Sequence, residues 1–517
     1  MSAPWFDAPA PLLPEVLDLN GRWMGCKPAV ICDDKTLSWR EFHRQLCQVA
    51  NGLRDDGLQT GDRVAVLMDN SPDMLVILFG IIVAGGVTVP LNPLVADPGL
   101  ANMIRDAGAI AVFASEAQAP RLEPQRAEPG NVRHWYATGG GEAGWTSYDD
   151  WRATQSGGAP AVPLRDEDEC NIIYSSGTTG QPKGIVHTHR RRLDWFYDLA
   201  IALRYDRASV NLCSIGLFSN ISWAGMGCTL LTGGTVVIMR SFDAEDWLAT
   251  VEARGVTHSA MVPVQFQRIL SSPSFAETDL GTIKSLMCCG SPLGTDLKQA
   301  IMARLSPQLV ELYGLTEGLI TTLEPEDAVD RLSSVGKPLM GIDLLILDEN
   351  DQPCAAGEAG EIVGRGRHLM AGYHEREAAN RDATWTDGSG RRWLRTGDIG
   401  RLDEAGFLFL VDRKKDMIIS GGMNLYPADI EATLADHPEV EEAAVIAVDS
   451  ERWGESPLAV VVGDADPDAL VAWTNERVGR HQRIVGAVVV NELPRNANGK
   501  ILKRQLRDQY RDWLSNH

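Results

Sequence analysis

The densest run of chemistry-bearing side chains lies between Asn171 and His189, NIIYSSGTTGQPKGIVHTH. Two β-type runs flank a loop that carries Gly177, Gly180 and Gly184, paired serines and threonines, and Lys183. Hydroxyls, backbone amides left accessible by glycine and one ammonium are the groups a polyphosphate needs. The same composition also suits a plain surface loop. It is not a Walker A loop, because the Gly-Lys-Ser/Thr ending is absent and the residues after it do not read as a helix start. A dinucleotide fingerprint is also missing: Gly364 and Gly366 lack the third glycine and sit in a β-rich context. Smaller groups follow: Thr316 and Glu317 after Tyr313 and Gly314, Asp398 after a glycine, Asp412 beside Arg413, and Lys500 in the turn Asn498-Gly499-Lys500. Taken singly, they read as a cap, an exposed ion pair or an ordinary lysine.

The elements around these groups alternate in type. RVAVLM, SPDMLVILFGIIVAGG and VTVPLN read as strand, helix and strand, and the theme returns through ASVNLCSIGLF, a helix through TLLTGG, TVVIMRS, DAEDWLATVEARG and HSAMVPV. Continuous apolar strands separated by helices imply sheets covered on both faces, an α/β architecture. The uncharged stretch Met74 to Ala96 has membrane length, yet its Gly80, Gly85, Gly86, Pro90, Asn92 and Pro93 favour a buried helix turning into a buried strand. AQAPRLEPQRAEPGNVRH, near 117 to 134, reads as a surface excursion. From about residue 342, short strands with Gly, Asp and Asn turns imply a β-rich subdomain. After DRKKD the order is strand, helix, strand, strand, helix, strand, a small α+β domain. No solenoid-type repeat is present.

Composition sets the outer limits. A chain of 517 residues has room for two to four domains. Its 48 Lys plus Arg against 70 Asp plus Glu give 48 − 70 = −22. That balance argues against a nucleic-acid coat or a polybasic membrane anchor, though not against anionic small molecules, which feel local groups. At 44% hydrophobic and 23% charged, the composition is that of a globular protein. The nine cysteines form no CxxC pair, which favours buried reduced thiols over a metal site. MSAPWFDAPAPLLPEV has no basic region followed by an apolar one, so the expectation is a cytoplasmic protein without an integral membrane segment.

Read together, the motifs resemble the adenylate-forming superfamily of acyl-CoA synthetases, adenylation domains and beetle luciferases over nearly the full chain. YSSGTTGQPKG corresponds to its phosphate loop. YGLTE (313–317), GEIVGRGRHLMAGY (360–373), RTGD (395–398), DRKKD (412–416), GGMNLYPADIE (421–431) and PRNANGK (494–500) follow in family order. The resemblance implies a large N-terminal domain (1–411) of α/β subdomains plus a β-rich subdomain, a hinge at 412–415, and a small mobile α+β C-terminal domain (416–517). It implies ATP, Mg²⁺ and CoA, and a carboxylate activated as acyl-AMP and then passed to the thiol. Thr178, Thr179 and Lys183 would hold the β- and γ-phosphates, Tyr313 would lie on adenine, and Thr316 would bind the α-phosphate. Glu317 would reach the metal, Asp398 the ribose, and Arg413 the nucleotide, with Gly290, Ser291, Pro292 and Gly314 completing that site. Lys500 would bridge carboxylate and α-phosphate before the C-terminal domain turns about Lys415. The strand at Gly421, Gly422 and Met423 would then meet the pantetheine. A separate acyl carrier protein as acceptor, oxidative chemistry of luciferase type, a silent nucleotide sensor and a homodimeric state are the alternatives left open.

The chain also departs from the pattern. Phe218 is kept, but Ser219 stands where a His is usual, implying a roomier and less basic entrance between the ATP and acyl sites. Glu311 and Leu312 stand where Gln and Gly are common, and Cys288 and Cys289 enter the turn that ends in Gly290, Ser291 and Pro292. Phe218, Ser219, Trp223, Met226 and Leu319 are the expected acyl lining. With no evident charged partner for a substrate tail, they imply a neutral medium-chain, alicyclic or aryl acid.

Overall fold

Buried strands followed by helices pack as the sequence pattern requires. The computed structural model describes residues 10–139, 144–175, 182–328, 330–413, 416–420, 423–450, 453–479, 482–495 and 501–516. The chain divides into two compact units. One comprises Met1–Leu332, Pro338–Ile342 and Arg365–Thr384; the other comprises Ser333–Lys337, Asp343–Gly364 and Trp385–His517.

The first unit holds two sheets. In one, neighbouring strands run in the order Ile320–Leu323, Leu309–Gly314, Ser285–Cys288, His258–Met261, Val210–Cys213, Thr235–Ile238, Pro28–Cys32 and Lys35–Ser38. It is parallel from Leu309–Gly314 to Pro28–Cys32, with an antiparallel partner at each end. In the other, Gly372–Tyr373, Lys183–Thr188 and Glu169–Ser175 form an antiparallel edge. They lead into the parallel strands Val87–Pro90, Arg63–Leu67, Ala111–Ala114 and His134–Ala137. Helix Pro72–Val83 has every residue from Met74 onward buried, and it turns into the buried strand Val87–Pro90. A helix apolar all round belongs inside a large core, which is why this stretch has the hydropathy of a membrane span. No helix of the described residues is long and apolar enough to cross a membrane. Beside it, helix Trp39–Asp55 buries Trp39, Phe42, Leu46, Val49 and Leu53, spaced by three and four residues.

One expectation needs correction. The segment near 117 to 134 is more than a surface excursion. Ala119 and Leu122 are buried in the core of the second sheet, and Glu123–Ala127 adds a short helix. Prolines and charges surrounding three scattered core residues, Ala119, Leu122 and Val132, gave a loop-like pattern.

In the second unit, Arg392–Leu402 pairs with Gly360–Gly366 on one side and with Leu408–Arg413 on the other. A further sheet is built on Gly454–Gly463, which pairs antiparallel with Val440–Ser450 and Ile418–Ser420 and parallel with Gly486–Val490. Helices Pro427–Ala435 and Pro467–Arg477 bury Ile430, Leu434 and Leu470 against one face. Helix Lys503–Tyr510 buries Leu506 against the other. That helix is polar or charged apart from Leu506 and Tyr510, and with the short helix Trp513–Asn516 it follows the last element that the sequence pattern predicts. The Asp412 carboxylate accepts from the backbone N–H of Ala428 at 3.0 Å, in the first turn of Pro427–Ala435. All nine cysteines are free thiols, seven of them buried.

Candidate active site

In an open parallel sheet, ligands bind beyond the carboxyl ends of the strands, where loops and helix starts present unpaired backbone groups. Three candidate groups leave adjacent or near-adjacent strands of the first sheet at that end. Gly290 to Pro292 follow Ser285–Cys288, Thr316 and Glu317 follow Leu309–Gly314, and Phe218 and Ser219 follow Val210–Cys213. Gly290 has φ +89°, and a Cβ there would stand 2.9 Å from Ile221 Cδ1, so the turn needs glycine. Ser291 Oγ is buried without a partner among the described residues.

Ser175 and Lys183, at the two ends of the glycine-rich segment, face each other across the hairpin. Thr178 and Thr179 lie outside the described residues. Lys183 Nζ stands 4.8 Å from the centroid of the Tyr373 ring. Tyr373 is brought there by its short strand, in register with Ile185. Its phenol donates to Glu317 Oε1 at 2.8 Å, and the Glu317 carbonyl accepts from Met370 N–H at 2.7 Å. Burial, then the Glu317 charge, push the Tyr373 phenol well above its usual value, so it stays protonated and keeps donating. One tyrosine therefore gathers the cation of one motif and the carboxylate of another, 134 residues on (317 − 183).

On the strand that begins at Lys183 stands His187, buried and drawn well below the usual imidazole range by burial and then by Arg192. Nε2 lies 2.9 Å from the Thr316 carbonyl. A carbonyl only accepts, so the neutral ring carries its proton on Nε2. Gly318 completes the turn at φ +104°, where a Cβ would overlap the His368 carbonyl. Across that turn Tyr313 pairs with Thr321 and Gly314 with Ile320. Tyr373, His187 and Gly318 were missed as site residues. The first two lie inside quoted motifs, and only their cross-strand register shows what they hold.

Of the expected acyl lining, Trp223, Met226 and Leu319 are fully enclosed at 0% exposure. Trp223 stacks on Phe79 at 5.5 Å in the main core. Positions 223 and 226 share a helix face that packs inward, while Ile221, two positions before Trp223, approaches Gly290. Phe218 stays half-buried. Ser219 caps the helix Asn220–Thr232, its Oγ accepting from Ile221 N–H at 3.3 Å, which gives the serine a structural duty. Arg192 lies beside this helix but is 1% exposed. Glu311, half a turn of chain before Tyr313, forms an enclosed ion pair with Lys298.

In the second unit, Asp398 faces Arg413 across the hairpin and is buried, its backbone N–H donating to Thr396 Oγ1 at 3.0 Å. Met423 pairs with Ser420. Lys415, Gly421, Gly422 and Lys500 lie outside the described residues. Among the described residues no group of three His, Cys, Asp or Glu could hold a metal alone. A single carboxylate at Glu317 suits a hard cation whose remaining ligands come from phosphate and water.

The chain is similar to known proteins over nearly its whole length. The model of the AMP-binding enzyme family matches residues 21–374, and that of the AMP-binding enzyme C-terminal domain matches 429–500. A feruloyl-CoA synthase from Amycolatopsis is 35% identical over 484 residues, covering 92% of this chain and 94% of the relative. The long-chain-fatty-acid–CoA ligase FadD13 of Mycobacterium tuberculosis is 34% identical over 490 residues, covering 92% and 94%. The crystal structure of ATP-bound MatB from Rhodopseudomonas palustris superposes with a TM-score of 0.88 at 27% identity, covering 97% of this chain and 99% of that one.

Proposed function

The chain belongs to the AMP-binding enzyme family, and from that premise we propose that it is an ATP-dependent acid–CoA ligase. In the first step a carboxylate oxygen attacks the α-phosphorus of ATP. A carbon–oxygen–phosphorus link forms, the bond to the β-phosphate breaks, and pyrophosphate leaves. In the second, the sulfur of CoA attacks the carbonyl of acyl-AMP, AMP leaves, and the thiol proton passes to solvent. The observation that carries the reading is the meeting of Lys183 and Glu317 on Tyr373, beside the Thr316 turn.

The chemistry asks little of an acid–base catalyst. The nucleophile is ionised at pH 7 already. What opposes reaction is the approach of two anions and charge gathering on the α-phosphoryl oxygens, so preorganised cations and donors are what lower the barrier. Lys183, Thr178 and Thr179 hold the β- and γ-phosphates by charge and hydroxyl hydrogen bonds, and Thr316 donates to the α-phosphate. Gly290, Ser291, Pro292 and Gly314 border the nucleotide, Tyr313 lies on adenine, Asp398 accepts from the ribose hydroxyls, and Arg413 approaches from the domain boundary. Mg²⁺ held by Glu317 would supply further positive charge to the phosphates. Lys500 bridges carboxylate and α-phosphate, then leaves as residues 416–517 turn on the 412–415 hinge about Lys415. That turn offers Gly421, Gly422 and Met423 to the pantetheine.

The half-buried apolar surface of Phe218 and Ile221 favours a neutral, mid-sized acid, since a second charge buried there would lack a partner. The test is a panel of carboxylates assayed for pyrophosphate release, then for AMP formation with and without CoA. Release with no acid overturns the reading, and AMP formation that requires a carrier protein instead of CoA replaces the acceptor. Lys500→Ala is expected to slow pyrophosphate release by at least about 100-fold while sparing thioester formation from supplied acyl-AMP.

A further inference from the structure

Asn220 is the first residue of the helix Asn220–Thr232, directly after the Ser219 cap. Its Oδ1 accepts from Arg192 Nη1 at 3.0 Å. A guanidinium has donors only, so this contact decides which way the amide faces: oxygen inward, nitrogen outward. Asn220 is half-buried, and its Nδ2 has no partner among the described residues and is not shut off from solvent. A donor is thus displayed between the Ser219 cap and the apolar Ile221.

Arg192 cannot easily swing away. Its Nε donates to Asn171 Oδ1 at 3.0 Å, and its guanidinium carbon lies 4.7 Å from the Trp195 ring and 5.4 Å from that of Trp223. Asn171 faces His187 in the hairpin register, and His187 holds the Thr316 carbonyl. The Asn220 donor and the Thr316 turn therefore hang on one buried polar frame. Enclosing a guanidinium is costly, and here Nη2 is left without a partner among the described residues. An apolar side chain between two tryptophans would pack there at lower cost, so packing alone does not explain an arginine.

We propose that Asn220, oriented by Arg192, is a specificity-determining residue for the acid, its Nδ2 donating to a hydroxyl, ether or carbonyl oxygen on the acyl body. Arg192 is the positioning residue. The inference rests on the acid-activating reading above and names the class of acid within it: apolar in bulk, neutral, and oxygenated on the side that meets Asn220. A pocket of apolar walls with one placed donor orients its ligand in this way.

The experiment measures pyrophosphate release with pairs of acids matched in size, one bearing an oxygen substituent and the other a methyl in its place. The readout is the ratio of their kcat/KM values. In the unaltered protein at least one pair is expected to give a ratio above about tenfold, the scale at which a hydrogen-bonding site discriminates. Asn220→Asp keeps the acceptor for Arg192 and removes the donor; Asn220→Leu removes both. Both variants should bring the ratio near one. Arg192→Lys should hold the ratio within about threefold of the unaltered protein, since an ammonium can still donate to Oδ1. Arg192→Met should lose the preference. An unchanged ratio in Asn220→Asp, or ratios near one for every pair in the unaltered protein, overturns the proposal alone. An unchanged ratio in Arg192→Met overturns the positioning role. Absence of pyrophosphate release with any acid overturns the ligase reading, and this inference with it.

Discussion

Lys183 and Arg192, nine positions apart, each set a cation against an aromatic ring, and their surroundings make the two contacts opposite in kind. Lys183 lies half-buried at the mouth of a loop, over a tyrosine whose hydroxyl is already committed to Glu317. Its ammonium can leave the ring for a phosphate at small cost, because a partly solvated cation–π contact is worth only about 0.5–1 kcal/mol. Arg192 is enclosed between Trp195 and Trp223, and burial draws it down from the usual arginine value to about 9. Its charge is held, not offered, and acts through Asn171 and Asn220. A cation facing solvent can meet a ligand; the same contact closed off becomes part of the frame that aims other groups.

The contrast can be broken most forcefully on its buried side. Trp223→Ala removes a ring that stacks on Phe79 and faces Arg192, and is expected to destabilise the protein by about 3–5 kcal/mol. The chain-length preference among acids should stay the same, because Trp223 is enclosed in the core. Chemical denaturation and the acid profile, measured on one preparation, check this; a shifted profile with unchanged stability would return Trp223 to the pocket. On the open side the effect should fall on chemistry instead. Glu317→Gln is expected to reduce pyrophosphate release by about 100-fold with little change in thermal midpoint, the scale of losing one placed transition-state group.

Acid should separate the two regions as well. His189 and His258 are buried, and burial lowers each to about 4. Both nitrogens of His189 lack partners among the described residues. A base whose folded pKa is depressed binds its proton more readily when unfolded, so stability is lost as pH falls from about 6.5 towards 4. The His189→Gln variant is expected to lose about 2 kcal/mol less than the unaltered protein over that window, read from urea midpoints at several pH values. Parallel curves would show that His189 does not titrate in this way. The smallest effect sharpens the open side. Tyr373→Phe keeps the ring under Lys183 and deletes only the donor to Glu317, so kcat should fall about fivefold, the worth of one net hydrogen bond. A loss as large as that of Glu317→Gln would mean that the phenol itself touches substrate.

Much of this molecule is legible in its residues. The strands Arg63–Leu67, Val87–Pro90, Thr235–Ile238 and His258–Met261 and the helices Pro72–Val83 and Ala244–Arg254 coincide with their apolar runs and punctuation. The motif chemistry was legible too, since Lys183, Thr316 and Glu317 lie in short ordered segments. Local periodicity carries this information because helices and strands impose it over a few residues.

Orientation and long-range meeting required the tertiary structure. An apolar stretch such as ISWAGMGC offers helix residues to two sides, and only the packing of Phe79 and Gly290 decides that Trp223 turns to the core and Ile221 to the site. Tyr373 reads as the last letter of a motif until strand register sets it beside Ile185, between Lys183 and Glu317. Arg192 reads as one of three consecutive arginines. Arg190 reaches Asp166, Arg191 reaches the carbonyl of Leu369, and Arg192 turns inward to Asn171 and Asn220. The sequence determined which groups exist and which element each rides on, because those follow from neighbours along the chain. Which groups share a site, and which charge is buried or offered, depends on contacts between residues far apart in sequence, and those exist only once the sheets have closed.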